Sequence, residues 1–422
     1  MISALVFCNS IYPPMDAEGF VTAKLMIALM NAGWKLDIIT PDRPNGKTYP
    51  ASASPLWTEL AQSLHIAKPL SFMNRAAWRL IERPRWALGT GHIIEGFGWS
   101  LDAVRIARKL ISQKSYSLII SRSLPTESHL AALNVAKISG IPWLANWNDP
   151  SPGYMHPPPY GSGGSSHIDF FHRRFLSNVM RVASFHTFPS SRLLKFIGGY
   201  APIKNNAGRA VVPHVCLDKL RPKRGEQRAQ CFRMLHIGSL DYRDPAPYLH
   251  GARLFLNRYH LTPAQFEICI VGSHLCEANS LLSRYELNEF VQCMPPVEYV
   301  KSIQLMAEFD ILILIEAKLS EGIYMPSKVS DYVQAGRPML CVSPRNGAVA
   351  DLLREHGGGI AVGQDDQHAI SRAIEILYES WRRNALENEF PMRSLVEYCS
   401  EKNIIKFYNS ILEHFHTTTN DH

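Results

Sequence analysis

Nothing in this sequence is long and apolar enough to cross a bilayer as a helix: no run approaches the ~18 residues needed. The opening MISALVFCNS has no basic flank ahead of its apolar residues, so it reads as a first β-strand and not as an export signal. No Cys-x-x-Cys pair and no His-Glu-x-x-His occur, which argues against a dithiol redox centre and a zinc hydrolase; no metal site is expected. The eight cysteines (Cys8, Cys216, Cys231, Cys269, Cys276, Cys293, Cys341, Cys399) are scattered, several in apolar stretches such as FEICIVG and MLCVSP. They read as small core residues of a protein in a reducing, cytoplasmic compartment. A short-period repeat is also lacking, which argues against a solenoid.

What is present is the composition of a soluble globular protein: 46% apolar, 19% charged and 10% aromatic. A chain of 422 residues is long for one core and comfortable for two domains. The net charge of +7 is uneven. Residues 1–205 hold 21 lysines and arginines against 11 acids, a net of +10, which leaves −3 for the remainder. Positive charge gathered on one domain suits an anionic partner such as phosphate, membrane headgroups or nucleic acid.

Both halves repeat one pattern. ISALVFC reads as a strand, FVTAKLMIALMNAG as a helix with a glycine stop, and WKLDIIT as the next strand, which is the unit of a doubly wound sheet. YSLIIS, PTESHLAALNVAKISG and IPWLANW repeat strand, helix and strand. After a polar, turn-rich stretch near 205–230 the alternation restarts with CFRMLHIGSLDYRDP and continues through FEICIVG, FVQCM, DILILIE, PMLCVSP and GGIAV. The expected fold class is therefore α/β, with two doubly wound parallel-sheet (Rossmann-like) domains facing a cleft. Their expected ranges are 1–205 and 206–390, with 391–422 an amphipathic helix packing back across the domains.

The segment EGIYMPSKVSDYVQAGRPML carries the most chemistry. Pro326 suits the first turn of a helix and Gly336 its left-handed exit. Such a helix, opening at a strand's carboxyl end, aims N–H groups and partial positive charge at a ligand, and Lys328 adds a full charge. A phosphate or pyrophosphate is the natural occupant. Asp331 lies one turn on, on the same face, and a carboxylate suits the vicinal hydroxyls of a ribose. Val329, Tyr332 and Val333 turn towards the sheet. The plainer alternative is a solvated Lys328–Asp331 pair worth a few tenths of a kcal/mol.

PSKVSDYVQAGRP resembles the motif P-S-K-x-x-E-Y-x-x-x-G-x-P of retaining GT-B glycosyltransferases of family 4 (group 1), with Asp331 in place of the usual glutamate. The resemblance implies that Pro326, Ser327 and Lys328 bind the pyrophosphate of a nucleotide-diphosphate sugar, and Asp331 its ribose. It implies that Glu321 contacts the donor sugar, with Glu316 the other candidate. LHIGSLDYRDP is similar to the family's first strand and turn of the nucleotide-binding domain: Gly238 would let the backbone approach phosphate, and Arg243 would neutralise it. ICIVG, ending at Gly272, resembles the strand beside the base. In the first half, the stretch from YSLIIS to Trp147, Asn148, Asp149 and Pro150 is similar to the same branch; the glycine-containing first loop matches only through Gly19, beside Glu18.

On this resemblance the protein is a glycosyltransferase that moves a sugar, with retention and without a metal, from a nucleotide-diphosphate donor to a glycan or lipid-linked acceptor in surface polysaccharide synthesis. The nucleotide sugar is a co-substrate, and no cofactor is expected. Asp149 would orient an acceptor hydroxyl and His129 would lie near the donor; the alternatives are an Asp-Pro turn and a core histidine. MNRAAWRLIERPRWALGTG interleaves Arg75, Arg79, Arg83 and Arg85 with Trp78 and Trp86, as a helix on the anionic inner face of a membrane would, or as a solvated face over buried tryptophans. No nucleic-acid module is recognisable. PPPYGSGGSSH, 157–167, is expected to be a mobile flap. Rival readings are a nucleotide-sugar epimerase or hydrolase of the same fold, and a non-catalytic nucleotide-sugar-binding protein.

Overall fold

The computed structural model describes residues 2–14, 16–42, 55–68, 83–90, 97–123, 126–151, 155–161, 163, 169–203, 207–222, 230–272 and 280–419. The chain divides into two compact units. The first comprises the described residues up to Val215 together with those from Lys402 on; the second is Cys216–Glu401.

Among the described residues the first unit has seven strands: β1 (Ser3–Phe7), β2 (Lys35–Pro41), β3 (Leu64–Ala67), β4 (Leu118–Ser123), β5 (Trp143–Trp147), β6 (Phe185–Phe188) and β7 (Gly208–Val211). They form one parallel sheet in the order β3-β2-β1-β4-β5-β6-β7. Continuous apolar runs rather than alternation suit strands covered on both faces; Ala4 to Phe7 and Leu118 to Ile120 are all fully buried. The Ala17–Asn31 helix starts where Asp16 accepts a 2.7 Å hydrogen bond from the Gly19 N–H. Because β2 and β4 flank β1, the winding direction reverses between β1 and β4, which opens a crevice at their carboxyl ends. The closing helix, Glu401–Thr419, returns to this unit: Trp34 Nε1 donates to Asn409 Oδ1 at 3.3 Å, and its ring packs edge-on against Tyr408.

The second unit repeats the design with β8 (Phe232–Ile237), β9 (Phe266–Val271), β10 (Val291–Met294), β11 (Ile311–Ile315), β12 (Met339–Val342) and β13 (Gly359–Val362). These pair in parallel in the order β10-β9-β8-β11-β12-β13, so the reversal lies between β8 and β11. Phe255 and Leu249 of the Ala246–Tyr259 helix and Ile370 and Ile374 of the Gln367–Arg382 helix pack over Phe232, Ile268 and Ile313 to form the core. Gly251 lets those helices meet: a Cβ there would lie 2.6 Å from the Ile370 side chain.

The expectation for the cysteines needs one correction. Cys8, Cys216, Cys269, Cys341 and Cys399 are buried free thiols and Cys231 is half-buried, but Cys293 is exposed and disulfide-bonded. It sits on β10, the edge strand among the described residues, whose four residues are all half-buried or exposed. Of the expected basic helix, Arg75, Trp78 and Arg79 lie outside the described residues; Arg83, Arg85 and Trp86 fall in the backbone helix Arg83–Thr90. Residues 162 and 164–167 of the expected flap also lie outside them. Among the described residues no helix is long and apolar enough to cross a membrane.

Two glycines of the second unit separate backbone strain from crowding. Gly336 has φ +70° with open space around it, so Gly336→Ala should cost about 1 kcal/mol of strain alone. At Gly359 a Cβ would lie 2.2 Å from the Met339 carbonyl oxygen across the β12–β13 pair, so Gly359→Ala should lower the urea midpoint considerably more. Equal midpoints for the two variants would contradict this account.

Candidate anion-binding site at the carboxyl end of the second sheet

The second reversal point collects most of the residues singled out in this half. β8 ends at Ile237, and Gly238 follows with φ +97°, a conformation L side chains rarely adopt. Its N–H is held by the Val271 carbonyl at 2.8 Å. A Cβ at this position would lie 2.8 Å from Lys328 Cε and 3.0 Å from its Nζ. The absence of a side chain therefore lets the lysine lie directly on the backbone, and Nζ donates to the Ser239 carbonyl at 3.1 Å.

Lys328 comes from the Ser327–Ala335 helix, which follows β11 and its exit loop. Pro326 stands at the N-cap position and supplies no side-chain cap; its carbonyl accepts from the Val329 N–H at 3.0 Å, so no side chain of its own competes for the Ser327 and Lys328 N–H groups. Val329, Tyr332 and Val333 are buried, and the Tyr332 hydroxyl donates to the Ile313 carbonyl at 2.8 Å, fixing the helix on β11. Gly336, in the left-handed conformation, closes it through N–H bonds to the Tyr332 and Val333 carbonyls.

The charges here are poorly solvated. Burial, and next the neighbouring Arg243 guanidinium, bring the Lys328 ammonium down to about 7, with Asp331 and Asp241 opposing. Arg243 is itself oriented by a 3.0 Å bond from Nη1 to the Asp241 carbonyl. Asp331, half-buried, accepts from the Tyr299 hydroxyl at 2.5 Å. Two half-buried cations and a helix N-terminus thus meet at one place. The helix end contributes ~0.3–1 kcal/mol to anion binding and each charge-assisted hydrogen bond ~1.5–3 kcal/mol, so the side chains dominate.

Glu316 and Glu321 differ sharply in setting. Glu316 leaves β11 with 5% exposure, and its Oε2 is buried without a hydrogen-bond partner among the described residues. Burial raises its carboxyl to about 8 against the pull of Arg243, so at neutral pH it is mostly a protonated hydrogen-bond donor. Glu321 is exposed on a loop pinned by the Gly322 N–H to Asn346 and by the Ala348 N–H to Gly322. Gly272 ends β9 beside Gly238, with φ +72° and its N–H on the Met294 carbonyl.

The sequence reading missed His236. On β8, at 2% exposure, its ring nitrogens lie 3.1 Å from the Ile313 carbonyl and 3.2 Å from the Gly238 carbonyl. Burial, then Lys328 and Arg243, bring it down to about 3, so it is a neutral imidazole in the strand beneath the cations. Its only sequence signal was a polar residue interrupting an apolar strand two positions before a glycine.

Asp149 and His129 lie in the first unit. Asp149 follows β5, and burial raises it to about 6. His129 is fully buried, Nδ1 2.7 Å from Ser121 Oγ and its ring 4.3 Å from that of Trp147; burial keeps it neutral, near 3.

No family model matches this chain, and no curated protein matches it in sequence. Its structure, however, matches solved structures over nearly its whole length. Sucrose-phosphate synthase from Thermosynechococcus elongatus superposes with a TM-score of 0.67 at 12% identity, covering 99% of this chain and 100% of that one. Anabaena HepE, solved with UDP and glucose, gives 0.61 at 12% identity, covering 97% and 100%. A mutant of S. aureus TarM, solved with Fondaparinux, alpha-GlcNAc-glycerol and UDP, gives 0.66 at 8% identity, covering 98% and 100%. The fold is GT-B. Within this GT-B chain, the second unit's reversal point is where Gly238, Lys328 and Arg243 converge.

Binding of an anion should return Lys328 to its charged form. Affinity for inorganic pyrophosphate should therefore be full below pH 7 and fall as pH rises above 7, because binding must then take up a proton. Isothermal titration from pH 6 to 9 would test this, with Lys328→Met subtracting the ligand's own titration. A Met variant with the same pH slope as the parent would refute it.

Proposed function

We propose that the protein is a glycosyltransferase that moves a sugar from a nucleotide-diphosphate donor to a glycan or lipid-linked acceptor. The observation that carries this reading is the seat of Lys328 on Gly238, beside Arg243 and at an uncapped helix N-terminus. That arrangement suits a diphosphate. Asp331, one turn on and already paired with Tyr299, takes the ribose hydroxyls; Gly272 leaves room beside the base. Of the two glutamates, Glu316 shares Arg243 with Lys328 and takes the donor-sugar contact in this reading, while Glu321 sits on the exposed loop. The GT-B neighbours solved with UDP and sugars support the same ligand class.

Chemically, the acceptor oxygen forms a bond to the donor's anomeric carbon as the bond to the diphosphate breaks, and the departing phosphate takes the acceptor's proton. Lys328, Arg243 and the helix N–H groups stabilise the charge developing on that phosphate. On this reading the transfer retains configuration and uses no metal. Asp149 serves on the acceptor side; His129, placed near the donor in this reading, is a neutral, fully buried group of the core. The net +10 of residues 1–205 fits association with an anionic membrane surface on the cytoplasmic side, and hence a lipid-linked precursor of a surface polysaccharide.

Lys328→Ala and Asp331→Ala should each weaken nucleotide binding by about 1–3 kcal/mol in calorimetry. Near-parental affinity in both would remove the basis of the assignment. Incubation with a nucleotide sugar separates this reading from its rivals: transfer should depend on added acceptor. Rapid conversion of the donor alone would instead identify an epimerase or hydrolase.

A further inference from the structure

The helix that carries Lys328 and Asp331 is pinned from several sides. The Tyr332 hydroxyl ties it to β11, Cys216 Sγ donates to the Ser330 carbonyl at 3.2 Å, and Gln334 Nε2 donates to the Leu217 carbonyl at 2.8 Å. These bonds restrain the backbone at Asp331. They do not restrain its carboxylate, which still turns about two side-chain torsions and, being half-buried, reaches the surface.

The group that stops this rotation comes from another helix, Tyr299–Ala307, which precedes β11. Its first residue, Tyr299, is 5% exposed, and its hydroxyl donates to Asp331 Oδ1 at 2.5 Å. The phenol is itself held. Glu298 caps its helix, accepting from the Val300 N–H at 2.9 Å and the Lys301 N–H at 3.2 Å, and Ser302 Oγ donates to the Tyr299 carbonyl at 2.6 Å.

A buried tyrosine needs only some acceptor for its one hydroxyl proton, and a backbone carbonyl suffices, as Ile313 does for Tyr332. Tyr299 instead gives its proton to a side chain of the anion site. A hydroxyl donating to a carboxylate makes a short, charge-assisted bond, stronger than one between neutral groups. Burial, and next Asp331, raise the Tyr299 phenol well above its usual value, so it remains a donor at neutral pH.

We propose that Tyr299 is a positioning residue that locks the Asp331 carboxylate in the orientation that receives the hydroxyls of a ribonucleoside diphosphate, and so makes the site select ribose over dideoxyribose. The inference rests on the function proposed above, which gives Asp331 the ribose; Tyr299 acts through the acid and has no ligand contact of its own in this account. One phenol leaves a carboxylate with lone pairs to accept a diol. An acid that must first be ordered loses part of its binding energy to that ordering, and a held one does not.

The test compares ligands with and without the diol. UDP, GDP, their 2′,3′-dideoxy counterparts and inorganic pyrophosphate are titrated calorimetrically into the full chain, Tyr299→Phe, Asp331→Ala and the double variant. Tyr299→Phe keeps the ring and removes only the donor. It should weaken the tighter of UDP and GDP by about tenfold and leave the dideoxy nucleotide and pyrophosphate unchanged. In the Asp331→Ala background it should have no further effect. An unchanged ribose-to-dideoxyribose ratio in Tyr299→Phe overturns the inference, as does an equal loss for every ligand, the result of a merely structural phenol, or a further loss in the double variant. Thermal melts establish folding; if Tyr299→Phe does not fold, Glu298→Ala, which loosens the helix start that holds the phenol, should lower the same ratio, and an unchanged ratio there overturns the inference. A parent that binds UDP or GDP without discriminating the dideoxy form defeats this inference alone. A parent that binds none of the nucleotides defeats the function proposed above as well.

Discussion

The contact between Lys328 and the bare backbone of Gly238 constrains the rest of the second unit's site. An ammonium that close to a strand end is stripped of much of its water, and the Ser239 carbonyl replaces only part of it. Arg243 adds repulsion, so without a ligand the site is electrostatically unfavourable and the lysine sheds its proton near neutrality. Only an anion relieves both effects. Burial first, and then the charge on Lys328 and Arg243, keep His236 neutral. Glu316 provides no counter-charge at neutral pH because burial keeps it largely protonated. Asp331 and Asp241 supply part of the compensating negative charge, and an anionic ligand would supply the rest.

The two units share one topology and place different polar groups at its strand ends. In each, apolar parallel strands are sealed on both faces, so the polar groups of the connections gather at the strands' carboxyl ends, where the winding reverses. In the second unit two cations, Lys328 and Arg243, lie by a glycine with Asp331, Asp241 and Glu316 around them. In the first they are the Glu18 and Asp149 carboxyls and the Arg122 guanidinium. The fold sets where polar groups gather, and the residues around each strand end set their charge.

Much of this was legible in the sequence because it rests on local patterns. The strands that became β1, β2, β4, β5, β8, β9 and β11 are mainly apolar, several interrupted by polar residues such as Asp37, Asn146, His236 and Glu267, and bounded by glycine or polar turns; Gly336 marked its helix end. The pattern of buried Val329, Tyr332 and Val333 on that helix also followed from spacing alone. Four-residue strands such as LHIA, FHTF and GRAV are too short to carry a period, and GRAV lies inside the stretch whose weak pattern suggested a domain boundary. Cys293 was misjudged because an apolar run does not reveal whether its strand lies at an edge. His236, Arg122 and the Glu18 cluster were invisible for a different reason: each acquires its meaning from partners about 70 to 130 positions away.

The choice between Glu316 and Glu321 shows why spacing alone was insufficient. Both precede the Pro326 turn, and counting back from Asp331 does not distinguish them physically. What does is the path of the chain after β11. Gly322 meets Gly347 so closely that a Cβ would lie 2.9 Å from the Gly347 Cα, and the backbone bonds on either side hold the loop there. Glu321 is thereby carried out to solvent, where a carboxylate's hydrogen bonds compete with water and contribute little. Glu316, still in register with the sheet through its N–H on the Val342 carbonyl, has its carboxyl confined beside Arg243 in a low dielectric. There a single hydrogen bond to a ligand is strong, and leaving it unmade is expensive. A buried Oε2 without a partner among the described residues is the more demanding of the two groups, which is why the function proposed above gives the donor-sugar contact to Glu316.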